Sequence, residues 1–313
     1  MGDLVFLWVQ DVFYHSLAVV GVTANVITIV ILCRGSCGLA GCTVRYLVSM
    51  AGADLLVIIF CVVLNQLVLF YFPYSVLLHY SVCALSSIVN AAAVDSSVWL
   101  TVAFTFDRFV AICCPRMKLR YCTEKTATRV VTTLCAVNYL RNIPRYFTYE
   151  LARSPVPLGR VHVDGTVLTP LIPYVGILLL NALTVRHILV TSRARKSFRG
   201  TGGGGQQVDT EMENRKRSMV LLFTISGSFV ILWIPRVVDF VYQEILLEMT
   251  PNLKVSQVGA MLMYLNSCSN TCIYALTQAK FREQVYELVT FPVCRLLKFL
   301  SDSVPKRGLR PRH

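Results

Sequence analysis

The chain has 313 residues, of which 55% are hydrophobic and only 15% charged, and its mean hydropathy is +0.59. A soluble domain carries about 25% charged residues, so one large soluble core is excluded and a bilayer is indicated. The net charge of +13 would point to nucleic acid in a soluble protein. Here Lys and Arg fall between apolar runs, where they meet anionic headgroups, and nucleic acid is set aside as a partner.

A membrane-crossing helix needs about 20 mostly apolar residues. Seven segments are predicted to qualify: 11–33, 46–72, 80–114, 127–147, 166–191, 218–247 and 255–277. In the fourth, Asn138, Arg141, Asn142 and Arg145 interrupt the second half. The seventh is rich in Ser, Asn and Cys, which suits a helix facing other helices. The expected organisation is a tail at 1–10, a helical domain at 11–277 and a basic tail at 278–313. The fold class is therefore all-α membrane protein, a seven-transmembrane helix bundle with a short amphipathic eighth helix. That last element is predicted because Phe281, Val285, Leu288 and Val289 recur on one face, opposite Lys280, Arg282, Glu283 and Glu287. Cys294 follows it, as a palmitoylation site or an unmodified thiol.

Of the 30 Lys and Arg residues, 24 fall in segments on one side of this arrangement and 6 on the other. The positive-inside rule then predicts a multi-pass cell-membrane protein, its N-terminus extracellular and its C-terminus cytoplasmic. Gly200 and the run from Gly202 to Gly205 read as a flexible linker, since no Lys-Ser or Lys-Thr follows to make a phosphate loop. Most of the 12 Cys lie inside or at the ends of apolar runs, without the paired CxxC spacing of a zinc site.

Polar groups inside a bilayer are expensive and call for a role. Asn25, Asp54, Ser97, Asn266 and Asn270 lie at similar depth on four helices, which predicts one interior polar cluster. It holds either a water network or a monovalent cation; Na⁺ at Asp54 is the one metal or cofactor considered. Asp107 and Arg108 close the third helix, where the carboxylate restrains the guanidinium or the Arg anchors at the interface. Pro235 removes a backbone hydrogen bond from the sixth helix one turn from Trp233, which permits a kink there.

These residues resemble the rhodopsin-like (class A) G-protein-coupled receptors across nearly the whole chain. Gly21 with Asn25, Ala53 with Asp54, Asp107-Arg108-Phe109, Trp233 with Pro235, Asn270 with Tyr274, and Phe281-Arg282 occur in that family's order. The stretches beginning at Asp107, Tyr121, Leu180 and Asn270 are similar to one orphan group, whose better-studied members respond to L-tryptophan and L-phenylalanine. The resemblance implies a heterotrimeric G protein as partner, coupled through Asp107, Arg108 and Tyr274. It implies an activation hinge at Phe229, Trp233 and Pro235. Agonist is expected to enter from outside, the sixth helix to swing outward, and Arg108 to meet the C-terminal helix of a Gα subunit.

The expected ligand is a small molecule, an aromatic amino acid or a short peptide. Its pocket is expected among Asn90, Val94, Trp233, Arg236, Phe240 and Tyr264. There Arg236 either meets a ligand carboxylate or snorkels at the outer interface. Several positions depart from the family. No Cys lies between Cys135 and Cys268, so the expected outer-loop bridge to Cys83 cannot form within the chain. Thr271 stands for the usual Pro, Asn181 for the usual Tyr, the fourth-helix Trp is missing, and Arg215, Lys216 and Arg217 occupy the base of the sixth helix. A receptor-like paralogue with impaired or constitutive signalling is therefore the first alternative. A transporter or channel is the second, and it lacks the internal repeat such folds show. An enzyme is not expected, since neither a His-Glu-x-x-His motif nor paired catalytic Asp residues occur.

Overall fold

The computed structural model describes residues 2–35, 37–68, 71–72, 80–146, 168–198, 206–245, 253–288 and 290. Every regular element among them is helical. In chain order these are α1 (Gly2–Cys33), α2 (Gly41–Val57), α3 (Tyr80–Cys113), α4 (Pro115–Tyr121), α5 (Glu124–Asn142), α6 (Leu168–Phe198), α7 (Gln206–Ile245) and α8 (Leu253–Thr277). The π-helical stretch Ile58–Val68 carries α2 onward without a break in the chain's path. Seven long helices overlap the seven predicted spans, with α7 beginning at Gln206 instead of 218 and α5 running over Glu124–Asn142 instead of 127–147, and α4 is a short connector opened by Pro115 at its first turn.

The first helix differs from its prediction: α1 begins at Gly2, so most of 1–10 adds turns to the span instead of forming a separate tail. Cys294, residues 291–313 and most of the loop after α5 lie outside the described residues, as does the glycine run.

Among the described residues, five helices are long and apolar enough to cross a membrane, those beginning at Gly2, Gly41, Ser81, Leu171 and Lys216. The helices α5 and α8 fall short for a physical reason. They turn polar side chains inward: Asn138 and Asn142 on α5, and Asn266, Ser267 and Asn270 on α8, are all buried. The outward faces are apolar elsewhere, as with Leu179 and Leu183 of α6 and Ile231 and Val238 of α7. Lipid is the natural solvent for such surfaces.

The largest core joins α1, α2, α3, α7 and α8 through Leu32, Tyr46, Leu100, Phe104, Leu221, Ile225 and Tyr274. It lies toward the Arg108 end of the bundle. A second cluster, nearer the opposite end, packs Val98, Ile177, Phe229 and Trp233. Two glycines set helix spacing. A Cβ on Gly21 would fall 2.5 Å from Cys268 Sγ, and one on Gly259 would fall 3.3 Å from the Arg236 backbone. Side chains there would push α1 from α8, and α8 from α7. At the first turn after α1, Gly38 takes φ +66°, a conformation other residues rarely adopt.

Candidate functional site

At the end of α3, Asp107 is fully buried and Arg108 nearly so. Arg108 Nε donates to Asp107 Oδ2 at 3.1 Å, and its Nη2 closes a second bond to the same oxygen. Nη1 reaches Ser218 Oγ on α7 at 3.3 Å, and Nη2 lies 3.4 Å from Cys42 Sγ on α2. Thus one guanidinium ties three helices together. Its neighbour on α7 is a hydroxyl and not an acid, consistent with the basic run at the base of that helix.

Beside it opens a cavity of about 450 Å³, walled by the start of α2, the ends of α3 and α7, α4 and residues 278–280. Burial and the nearby Asp107 carboxylate push the Cys122 thiol up to about 12, and burial also raises that of Cys37. Both face the cavity as neutral thiols. Tyr274 is buried behind this region, its ring edge-on to Phe281 at 5.8 Å.

Midway along the bundle, Asp54 receives Ser97 Oγ at 2.6 Å on one oxygen and Asn270 Nδ2 at 2.8 Å on the other. Asn25 is linked to α8 through Ser267, whose carbonyl accepts from Asn25 Nδ2 at 2.9 Å. Asn25 Oδ1 has no bonding partner although it is buried. Asn266 is buried one turn before Asn270. The structure therefore brings Asp54, Ser97 and Asn270 into direct contact and places Asn25 and Asn266 alongside.

Phe229 and Trp233 stack at 5.1 Å, and Pro235 lies within the same helix. Val94 packs against the Trp233 cluster and also against the cluster containing Cys61 and Tyr264. Asn90 Oδ1 accepts from Cys61 Sγ. Val94 thus packs between the groups that hold Trp233 and Tyr264, and Asn90 joins the second of them through Cys61. Arg236 is engaged by Asp239 Oδ2 at 3.0 Å and Ser256 Oγ at 3.3 Å, yet remains 41% exposed. Phe240 is half-buried one turn further along α7.

One polar site was not anticipated. Asp95 of α3 is buried and accepts from Arg141 Nη2 at 2.5 Å and Asn142 Nδ2 at 2.8 Å, both on α5. Asn142 also donates to the Asn138 carbonyl. The signal was present in the chain: Asn138, Arg141, Asn142 and Arg145 recur at i, i+3, i+4 and i+7, which is one helical face. What read as an interruption of the fourth span is the face that meets Asp95.

Arg108, Asp54 and Trp233 each anchor one of these groups. The family model described as "7 transmembrane receptor (rhodopsin family)" matches residues 24–274, which holds all three. The chain belongs to that family. This receptor is 24% identical over 210 residues to a Mus musculus protein named "Probable G-protein coupled receptor 142", covering 65% of this chain and 54% of that one. It is 23% identical over 295 residues to the Rattus norvegicus growth hormone secretagogue receptor type 1, covering 88% and 79%. It is 22% identical over 314 residues to the Drosophila melanogaster FMRFamide receptor, covering 91% and 54%. The chain therefore spans about half the length of two of these relatives. Two of these names carry a ligand and one does not, so the family stands and the narrower aromatic-amino-acid group does not follow from them. The family is non-enzymatic.

The receptor's departures from the expected pattern have local partners. Asn181, in place of Tyr, donates to Ser226 Oγ of α7 at 2.8 Å. Thr271, in place of Pro, shares a hydrogen bond of 2.8 Å with Thr28 of α1. The described cysteines form no disulfide.

Proposed function

We propose that the receptor carries an extracellular small-ligand or short-peptide signal to a heterotrimeric G protein, engaged through Arg108. The observation that supports this most directly is the Asp107–Arg108 pair at the mouth of a cavity bounded by α2, α3 and α7. A partner helix entering that cavity would exchange contacts with Arg108, and an outward move of α7 would break its bond to Ser218.

Charge supports the placement of this end in the cytoplasm, with the N-terminus outside and the chain multi-pass in the cell membrane. In this reading 11–277 is the receptor domain and 278–313 a cytoplasmic tail. Residues 279–288 are helical and would lie on the inner leaflet as an amphipathic eighth helix, with Cys294 as its lipidation site.

The Asp54 cluster supplies oxygen donors suited to Na⁺, from its carboxylate and Ser97 Oγ. A bound cation would weaken the Asn270 contact and bias the packing of α8. Phe229, Trp233 and Pro235 serve as the hinge. Agonist binds above Trp233, against Asn90, Val94, Phe240 and Tyr264. Arg236 and Asp239 stand together there and would meet the carboxylate and the ammonium of an amino acid or a peptide terminus. Two of the relatives are named for FMRFamide and for growth hormone secretagogues, which keeps short peptides in the candidate set.

A G-protein activation panel on surface-expressed receptor, against aromatic amino acids and short peptides, tests the reading. Arg108→Ala should abolish both basal and stimulated nucleotide exchange while surface staining persists. Equal signals with and without Arg108 would remove the coupling role. Silence of the unmodified receptor across all Gα classes would favour the paralogue that no longer signals.

A further inference from the structure

A feature of sequence and a feature of geometry meet at Ser218. In the chain it directly follows Arg215, Lys216 and Arg217. A hydroxyl behind a run of cations is what a protein kinase with an acidic peptide groove selects, through charge complementarity. In the fold the Ser218 Oγ accepts from Arg108 Nη1 at 3.3 Å, across the gap between α7 and α3. Ser218 is half-buried and lines the cavity at that end of the bundle.

A kinase reads extended chain, and this end of α7 can open to supply it. The twelve residues of the helix before Ser218 include only Val208 and Met212 as large apolar side chains. Little buried apolar surface therefore opposes local opening. In the opened chain the basic run meets the kinase whatever its side chains touch in the helix.

We propose that Ser218 is a phosphorylation site, and that its phosphate pairs with Arg108 and holds α7 against α3. In the transfer, Ser218 Oγ bonds to the γ-phosphorus of ATP and the bond from that phosphorus to the β–γ bridging oxygen breaks. ADP leaves, and the hydroxyl proton passes to the kinase's base. A phosphoserine carries about −1.5 to −2 charge and three strong acceptor oxygens. Arg108 stays bonded to Asp107 through Nε and Nη2, while Nη1, which already faces Ser218, meets the phosphate. No unanswered cation is needed, because an existing neutral contact becomes a charge-assisted one. Lys118 and Lys280 line the same cavity and offset the Asp107 carboxylate. The phosphate thus supplies at the base of α7 an acid that Arg215, Lys216 and Arg217 do not. Receptor so modified would couple less readily. That consequence rests on the proposed coupling role of Arg108; the modification and the pairing do not.

The test uses full-length receptor in phosphatidylcholine nanodiscs, without G protein. It is incubated with ATP and two kinases that select basic residues before the acceptor, the cyclic-AMP-dependent and the calcium- and lipid-dependent kinase. Mass spectrometry locates the phosphate, and the free peptide 209–222 serves as the positive control. Phosphate on Ser218 of the receptor supports the site; its absence there overturns the proposal.

The pairing is read from removal of the phosphate by a broad-specificity phosphatase. Arg108→Gln should speed removal about tenfold, the size of one lost charge-assisted bond, and Arg108→Lys should keep most of the protection. Arg129→Gln, exposed on α5, should change the rate less than about twofold. Melting of the unphosphorylated variants checks that they fold. Equal rates with Arg108 and with Gln overturn the pairing and leave the coupling reading untouched. With a G protein supplied, phosphorylated receptor should drive nucleotide exchange several-fold more slowly than the same receptor after phosphatase. Equal exchange would overturn the restraining role alone, while loss of coupling in Arg108→Ala is scored separately.

Discussion

Asp54 and Asp95 are both carboxylates buried in the same bundle, yet their surroundings solve the problem of a buried acid differently. Asp54 is met by neutral donors, one hydroxyl and one amide, from α3 and α8. Asp95 is met by a guanidinium and an amide, both from α5. Both of these donors to Asp54 are neutral, so no counter-charge stands among them. The Arg141 guanidinium joins α5 to α3 through the Asp95 carboxylate.

The α3–α5 pair also lies in a chain whose described cysteines form no disulfide, so the ion pair supplies a covalent-free restraint on α3.

That contrast can be broken most forcefully at Asp95. Replacement Asp95→Leu removes the acceptor shared by Arg141 and the buried Asn142 and should lower stability by about 3 kcal/mol. Surface yield and the melting midpoint in detergent would both fall. Adding Arg141→Met should recover most of the loss. A double variant no more stable than the single one would show that the ion pair is not what joins α3 to α5.

The next largest effect is expected where α1 closes on the Asp54 region. Gly21→Val brings methyl groups onto Cys268 and Ile58 and should cost about 1–3 kcal/mol through overpacking. A melting midpoint equal to that of the unmodified receptor would mean that α1 yields at no cost.

Asp54→Asn should be milder, about 1 kcal/mol, because the amide still accepts from Ser97 and only the Asn270 bond is put at risk. A loss as large as that of Asp95→Leu would show that Asp54 is held as firmly as Asp95, and the contrast would disappear.

The smallest effect concerns chemistry at the Arg108 end. Cys122 lies between α4 and α5, with its thiol raised to about 12 by burial and by Asp107. At pH 8 roughly one such thiol in ten thousand is ionised. Maleimide labelling of Cys122 should therefore be slow and rise about tenfold per pH unit up to about 12. The sign for stability follows: an unfolded thiol ionises near 9, so any contribution of Cys122 is present below that pH and fades as pH climbs toward 12. Rapid labelling at pH 7 would show that the cavity wall opens far more than this packing allows.

Much of this was legible in the chain. Period and polarity located the long helices, because a helix in lipid must satisfy its backbone internally and show apolar side chains outward. The positions of Asp54, Ser97 and Asn270 were legible for a related reason: each is a polar residue at a depth where polarity is expensive. Asp95 was passed over because its partners lie on another helix. On their own, Asn138, Arg141 and Asn142 read as defects in a weak span. The pairing of Arg236 with Asp239 was open in the chain at i, i+3 spacing, but Ser256 on α8 joins them only across an interhelical gap.

By itself the amino-acid sequence determined the helical class, the number and order of the long helices and the family, since composition and spacing are local and cumulative. The tertiary structure alone decided which buried charges meet and that Arg108 is held by Asp107 and Ser218. Those outcomes depend on helix rotation and separation. These are set by close approaches such as Gly21 against Cys268 and Gly259 against Arg236, and no periodicity within a single segment encodes them.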